Sequence, residues 1–360
     1  MIQPFKYNLG LFTNNFDPLT LGHLNIIYKS TSECKDLYII LNYSKYDLID
    51  YRKRYQWIYN LTTHFDNITI VPLEVDSNSK DDFNKNLKFI LENFDSNSEF
   101  NISQVDNSDK KVDVIYIDAL NSLDDNLNDT LSDKFNYLSN VKLEIINNNE
   151  PPAQDIHNNP FKYWDFIPNI IKEHYVKKVL IIGNESTGKS TLVQTLANIY
   201  NTNCVLEYSR DVCSRCGGED YMLTEDFEEV LYQHKINIKN ASKESNKLLF
   251  IDTDSFMTYY YRKHAGLLDS DEKESILDNE DNIRLISGEY DLVLFMESDV
   301  PYVQDDLRIL DRNENGLRES CTEIIKELYK NNGIDFKIIS GSYSERLEKA
   351  QSLIKDEFDI

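Results

Sequence analysis

The sequence predicts an α/β chain of two domains, each built on its own parallel sheet. Three observations carry this. Short apolar runs alternate with helical patterns along the whole chain, the signature of strands joined by crossover helices. A Pro- and Asn-rich stretch at residues 147–176 interrupts the alternation once. In each half the first strand runs into a glycine-bearing turn that opens a helix.

The elements follow in order. In the first half, strands are expected at 7–13, 36–42, 68–72 and 112–117, with helices at 22–32, 52–64 and 82–94. Residues 95–109 and 121–133 are rich in Asn, Asp and Ser and read as exposed loops. "NNNEPPAQDIHNNPFKYWDFIP" supplies Pro151, Pro152 and Pro160, then Phe161, Tyr163, Trp164 and Phe166. Such chain suits a connection that packs through its aromatics. In the second half, strands are expected at 178–182, 203–206, 247–251, 291–295 and 335–339. Helices are expected at 190–200, 224–245, 272–286 and 316–331. The expected organisation is a first domain over 1–150, a connecting segment over 151–176 and a second domain over 177–360.

Composition narrows the function. With 360 residues, 41% of them hydrophobic, two cores are within reach. A net charge of −24 opposes nucleic-acid binding, yet leaves room for a small anion in a locally positive pocket. Cys34, Cys204, Cys213, Cys216 and Cys321 are scattered and odd in number, which fits no disulfide framework and suits a reducing, cytoplasmic setting. Cys213 and Cys216 have CxxC spacing but no second pair, so two small residues in a helix-to-loop region are the preferred reading over a metal site. No apolar run approaches the roughly 20 residues of a membrane span. The expected partners are small molecules, and self-association into a homo-oligomer is compatible with them.

"VLIIGNESTGKSTL" matches GxxxxGK[ST] at Gly183, Gly188, Lys189 and Ser190, with a strand before it and a helix after it. The run Gly183, Asn184, Glu185, Ser186, Thr187, Gly188, Lys189, Ser190 and Thr191 would wrap the phosphates of ATP with backbone N–H groups. Lys189 would reach the β/γ-phosphates, and the Ser190 hydroxyl would ligate Mg²⁺. Asp252 and Asp254 follow the third strand of this half, where open α/β sheets place their sites. One carboxylate suits the metal and the other a substrate proton, while a helix-capping Asp is the structural alternative for either. Glu207, Tyr208 and Arg210 in "VLEYSRDV" would face the acceptor. Asp305, Asp306, Arg308 and Arg312 in "PYVQDDLRILDR" occupy the place of a mobile lid whose arginine neutralises the transferring phosphoryl.

Near the N-terminus, "GLFTNNFDPLTLGHLNII" places Pro18, Thr20, Gly22 and His23 after the first strand, in the [TH]xGH pattern of nucleotidyltransferases. His23 and Thr20 would donate to phosphate, helped by the positive helix end, and Gly22 allows close approach.

In this order "FDPLTLGHLNII", "RYQWIYNL", "NPFKYWDFIP", "GNESTGKSTLV", "LEYSRDV", "FIDTDSFMT" and "DDLR" resemble the NadR family. These are bifunctional nicotinamide-mononucleotide adenylyltransferases and ribosylnicotinamide kinases. The resemblance implies a nucleotidyltransferase-type Rossmann-like sheet followed by a P-loop kinase sheet, with the family's helix-turn-helix segment absent from this chain. It implies Mg²⁺ as cofactor and ATP as co-substrate. The implied catalytic residues are Lys189, Asp252, Asp254, Arg308 and His23. The implied adenylyltransferase nucleotide site is Phe12, Asn14, Thr20, Gly22, His23, Arg54 and His157. The implied riboside site is Glu207, Tyr208, Arg210, Asp254 and Asp305, and the metal falls to Ser190 and Asp252.

There are departures. Where the family carries ISxxxIR, this chain reads "PPAQDIH", with Pro152 at the serine and His157 at the arginine. Proline has no N–H and histidine no permanent charge. "VIYIDAL" lacks a Ser-Glu pair usual after that strand, and Leu206 and Tyr302 stand where Trp is common. Arg52 and Arg54 are either compensating cations or a solvated helix start. Three readings stay open: a kinase joined to an active adenylyltransferase, a kinase with a silent nucleotide-sensing first domain, and a P-loop kinase for another nucleoside.

Overall fold

The computed structural model describes residues 4–75, 112–118, 141–147, 150–264, 275–301 and 317–360. The helix expected at 82–94, the loops at 95–109 and 121–133, and Tyr302, Asp305, Asp306, Arg308 and Arg312 lie outside the described residues. The chain separates into two compact units, Met1–Ile171 and Lys172–Ile360.

The first unit runs β1 (Tyr7–Asn14), α1 (Leu21–Glu33), β2 (Cys34–Tyr43), α2 (Tyr51–Thr62), β3 (Ile68–Glu74), β4 (Val114–Asp118) and β5 (Lys142–Ile146). Every strand pairing is parallel, in the order β3-β2-β1-β4-β5. Leu9, Leu11, Tyr38, Ile40, Ile115 and Ile117 fill one side of the sheet. After β3 the chain crosses to the far side of β1. The crevice between the ends of β1 and β4 is therefore the topological switch point, where such sheets bind ligands. Next come α3 (Ala153–Asn158) and a 3₁₀ turn at Trp164–Phe166. There the Trp164 ring packs edge-on to Phe161 at 5.9 Å, so the aromatic connection is anchored rather than extended.

From α4 (Asn169–Tyr175) the chain continues through β6 (Lys177–Gly183), α5 (Lys189–Ile199), β7 (Cys204–Val205), α6 (Ser209–Cys216), α7 (Thr224–Glu244), β8 (Leu248–Asp252), α8 (Ser255–His264), α9 (Glu280–Ile286), β9 (Leu292–Met296), α10 (Leu317–Asn331), β10 (Lys337–Ile339) and α11 (Tyr343–Phe358). The second sheet is parallel in the order β10-β9-β6-β8-β7. Strands β8 and β9 are buried at every residue, which is why they read as unbroken apolar runs.

The helix expected over 272–286 is divided. Ser275 caps a 3₁₀ turn at Ile276–Asp278 and Asn279 caps α9, because both side chains take backbone N–H groups that a continuous helix would use itself. Strand β5 and helices α6, α8 and α11 have no counterpart in the sequence expectations. None of the five cysteines is in a disulfide, and Cys213 and Cys216 fall in α6. Among the described residues no helix is long and apolar enough to cross a membrane.

Candidate functional site

In the second unit, β6 ends in a loop whose backbone is set by two glycines. Gly183 has φ 141°, and a Cβ there would lie 2.5 Å from the Met296 carbonyl; Gly188 has φ 87° and caps α5. Ser186 also adopts a positive φ of 53°, a strain of roughly 1 kcal/mol or more for a residue with a Cβ. Asn184 stiffens the loop by donating to the Arg318 carbonyl and accepting from the Glu185 N–H. The Lys189 ammonium folds back on the Asn184 carbonyl at 2.8 Å, and the Thr187 hydroxyl donates to that oxygen too. Thr191 follows in the first turn of α5.

Ser190 Oγ donates to Asp252 Oδ2 at 2.5 Å. Asp252 is fully buried, and its other oxygen has no hydrogen-bond partner. Burial pushes its pKa up to about 6 against the pull of the Lys189 charge, with Glu207 raising it further. A hydroxyl beside a carboxylate with an unfilled lone pair is a hard-oxygen donor set that fits Mg²⁺.

Asp254 is placed differently. Strand alternation would put residues 252 and 254 on one side, but Thr253 between them has φ 67° and turns the chain. Asp254 Oδ1 accepts from the N–H groups of Phe256 and Met257 and from the Tyr329 hydroxyl. It is a buried helix cap at the start of α8, the structural alternative of the sequence, and burial raises its pKa to about 6.

A pocket of about 660 Å³, including the part open to solvent, adjoins this loop. Glu207, Tyr208 and Arg210 line it, with Glu185, Glu219 and the apolar Met222, Phe227 and Val230. Glu207 accepts from the Ser209 hydroxyl at 2.5 Å, and Arg210 Nε lies 4.0 Å from it. Three carboxylates against one guanidinium make the lining acidic, which favours a ligand carrying positive charge. Leu206 is 43% exposed and lies outside the lining. The implied Arg308 and Asp305 lie outside the described residues.

In the first unit, Phe12, Asn14, Thr20, Gly22 and His23 come together at the end of β1 and the start of α1. Thr20 caps α1 by accepting from the His23 N–H, and its own N–H donates to His23 Nδ1 at 3.1 Å. The imidazole packs edge-on to Phe16 at 5.2 Å, with Phe12 beyond at 6.5 Å, and burial lowers its pKa to about 3. The neutral ring with Nδ1 accepting carries its proton on Nε2. Asn14 Oδ1 accepts from the N–H groups of Asn15 and Phe16, so its amide nitrogen faces His23 Nε2 at 3.1 Å. Two donors meet there and call for an acceptor. Asp118 Oδ2, 3.5 Å from Nε2, stands in that place. Gly22 N–H, at the positive end of α1, donates to Glu150 Oε2 at 2.5 Å.

Arg54 departs from both alternatives of the sequence. It is neither solvated nor open to a nucleotide: fully buried, it donates to the carbonyls of Asn15 and Asn42 and to Asp47. Arg52 is exposed and paired with Asp50. His157 is half-buried in the last turn of α3, whose N-cap Pro152 makes no side-chain capping bond.

Sequence reasoning missed Glu150, Asp118, Arg318 and Arg346. Asp118 alone had a local signal, a carboxylate at the C-terminal end of a parallel strand.

Comparison with known proteins finds matches in both halves of the chain. The family described as "AAA domain" matches residues 178–346, and that described as "Citrate lyase ligase C-terminal domain" matches residues 10–115. The trifunctional NAD biosynthesis/regulator protein NadR of Salmonella typhimurium is 35% identical over 204 residues, 56% of this chain and 47% of that protein. The Escherichia coli NadR is 34% identical over a stretch of the same length. The chain thus spans about half the length of these relatives. A phosphopantetheine adenylyltransferase of Synechocystis is 33% identical over 64 residues, 17% of this chain and 40% of that protein. A crystal structure of NadR in complex with NR superposes with TM-score 0.73 at 19% identity, covering 98% of this chain and 97% of that one. Another, in complex with NAD and AMP-PNP, gives 0.70 at 18% identity and covers 99% and 98%. By sequence over 204 residues and by fold over nearly its whole length, the chain resembles the NadR family.

Proposed function

We propose that this protein is a pyridine-nucleotide salvage enzyme of the cytoplasm whose residues 177–360 phosphorylate nicotinamide riboside with ATP. The observation that carries this reading is the Ser190–Asp252 pair, at the base of a phosphate loop and beside an acidic pocket. Nicotinamide riboside carries a fixed positive charge on its ring, which an acidic lining attracts and a neutral nucleoside would not exploit. The odd and scattered cysteines, five in all, support the compartment.

In this reading Ser190 and Asp252 would hold Mg²⁺, which would supply charge neutralisation on the phosphates. The chain does the rest. Loop amides and Lys189 hold the β/γ-phosphates, and Glu207 orients the ribose hydroxyl. The hydroxyl oxygen bonds to the γ-phosphorus, the bond to the β-bridging oxygen breaks, and the hydroxyl proton passes to a pocket carboxylate. A loose phosphoryl transition state asks for positioning and charge more than for a strong base. Asp254 then serves the scaffold.

We assign residues 1–150 the adenylylation of nicotinamide mononucleotide to NAD, with Asn14, Thr20, Gly22 and His23 as phosphate donors. A second reading, a nucleotide-binding but catalytically silent first domain, is favoured by one observation. Two of those donors are already covered by the chain's own carboxylates, Gly22 by Glu150 and His23 by Asp118.

The test incubates the protein with ATP and Mg²⁺ and either nicotinamide riboside or its mononucleotide, following products by chromatography. Mononucleotide from riboside supports the kinase, and NAD from mononucleotide supports the transferase. Absence of both products overturns the reading, and mononucleotide without NAD selects the silent domain.

A further inference from the structure

Two buried arginines from distant helices hold the back of the phosphate loop. Arg318, in the first turn of α10, donates Nη2 to the carbonyls of Glu185 and Ser186, at 3.3 Å each, and Nη1 to the Val300 carbonyl at 2.5 Å. Arg346, in the first turn of α11, donates Nη1 to the Thr187 carbonyl at 2.6 Å. Its Nε reaches the Gly341 carbonyl at 2.7 Å, and its Nη2 reaches the Glu297 carbonyl at 3.1 Å and the Asp299 carboxylate. The two residues are 6% and 2% exposed, too enclosed to meet a substrate.

Three consecutive loop carbonyls, 185 to 187, are thus taken by guanidinium donors. In a trans peptide the C=O and the following N–H point to opposite sides. Fixing those carbonyls backward turns the N–H groups of Ser186, Thr187 and Gly188 toward the phosphate side. It also removes three negative dipole ends from the path of an anion and leaves two permanent charges behind the loop. Arg346 in addition ties the loop to the segment after β9 and to the Gly341 turn before α11, so one side chain sets three backbone segments.

We infer that Arg318 and Arg346 are positioning residues for phosphoryl transfer: they act through the loop backbone, orienting its amides for the β- and γ-phosphates of the nucleotide. This rests on the kinase reading above. Its consequence is a graded one. A loop with misdirected amides loses most where the phosphate chain is longest, whereas a protein that is merely less stable loses affinity for every ligand alike.

The experiment compares full-length wild type with Arg346→Lys, Arg318→Lys and Asp299→Asn. It measures dissociation constants for AMP, ADP and ATP, KM for ATP and for nicotinamide riboside, and the thermal midpoint. Lysine keeps the charge but not the fork of donors. In Arg346→Lys the KM for ATP is expected to rise about tenfold, the scale of losing one hydrogen bond from a charged group. Affinity should fall progressively from AMP to ATP while the riboside KM stays within about twofold. Asp299→Asn removes one charged anchor of Arg346 and should show the same ordering at smaller size. It stands in if Arg346→Lys does not fold. Unchanged nucleotide affinities in a folded variant overturn the inference, as does an equal loss for all three nucleotides and riboside with a lowered midpoint. A wild type that binds nucleotides but leaves riboside untouched overturns the substrate reading instead, and the AMP-to-ATP ordering still decides the role of the arginines.

Discussion

Glu150 Oε2 accepts a 2.5 Å hydrogen bond from the backbone N–H of Gly22, so a carboxylate of the chain itself occupies the N-terminal end of α1, inside the [TH]xGH pattern. Burial and the nearby Asp118 charge raise the Glu150 pKa, which marks the placement as electrostatically costly. Replacing it with Glu150→Gln keeps the shape and removes the charge. The expected result is faster NAD formation from mononucleotide and ATP, by about tenfold, the effect of roughly 1.4 kcal/mol of relieved repulsion. A rate equal to or below wild type in the chromatographic assay would sink the idea that Glu150 opposes nucleotide binding.

The two aspartates after β8 should separate cleanly. Asp252→Asn removes the carboxylate beside Ser190 and should lower kcat for riboside phosphorylation by about 10² or more, the scale of losing an electrostatic partner in phosphoryl transfer. Asp254→Asn keeps an acceptor for Phe256 and Met257 and should leave kcat within about threefold. Mg²⁺ affinity should also weaken as pH drops below about 6, where a proton competes with the metal for Asp252. A larger loss in Asp254→Asn than in Asp252→Asn would reverse the assignment.

His23 makes the first unit acid-sensitive. Its folded pKa of about 3 lies below the unfolded value of 6.5, so between those limits the unfolded chain binds the extra proton and stability falls as pH falls. The slope from this group reaches about 1.4 kcal/mol per pH unit. Trp57 and Trp164, the protein's two tryptophans, both lie in the first unit, so their fluorescence reports its unfolding. The denaturation midpoint should drop between pH 7 and pH 5, and His23→Asn should flatten that drop. Equal slopes in both proteins would show that the ring is not buried neutral.

Asp254 carries the opposite sign. Its folded pKa, near 6, lies above the unfolded 3.8, so its stabilising contribution is full below 3.8 and is lost as pH rises through about 6. Asp254→Asn should therefore gain stability over wild type at pH 7.5 and lose that advantage at pH 4.5, when unfolding of the second unit is followed by hydrogen exchange. An advantage that does not change with pH would refute the assignment.

Arg54 should behave as scaffold. With Arg54→Met, Asp47 loses its buried partner, and breaking such a pair costs about 3–5 kcal/mol. Tryptophan-monitored urea titration should show that loss. Mononucleotide affinity under folding conditions should stay close to wild type, and a selective loss of affinity without destabilisation would instead put Arg54 at the ligand.

Much of this protein is decided locally. The alternation of apolar strands and amphipathic helices, the Gly183–Ser190 loop and the helix start at Gly22–His23 are legible because each depends on residues a few positions apart, whose spacing maps directly onto backbone geometry. The division of the helix at Ser275 and Asn279 was harder, because two caps compete with a pattern that continues through them. What the tertiary structure decided is which partner each polar group meets. Glu150 reaches Gly22 across 128 positions and Arg346 reaches Thr187 across 159. Likewise a single left-handed residue, Thr253, sends Asp252 to the phosphate loop and Asp254 into the core. Sequence spacing determines where a backbone turns. Which charge then lies against which amide depends on the packing of elements far apart in the chain, and that packing assigned carboxylates to the Gly22 amide and the His23 ring and guanidiniums to three carbonyls of the loop.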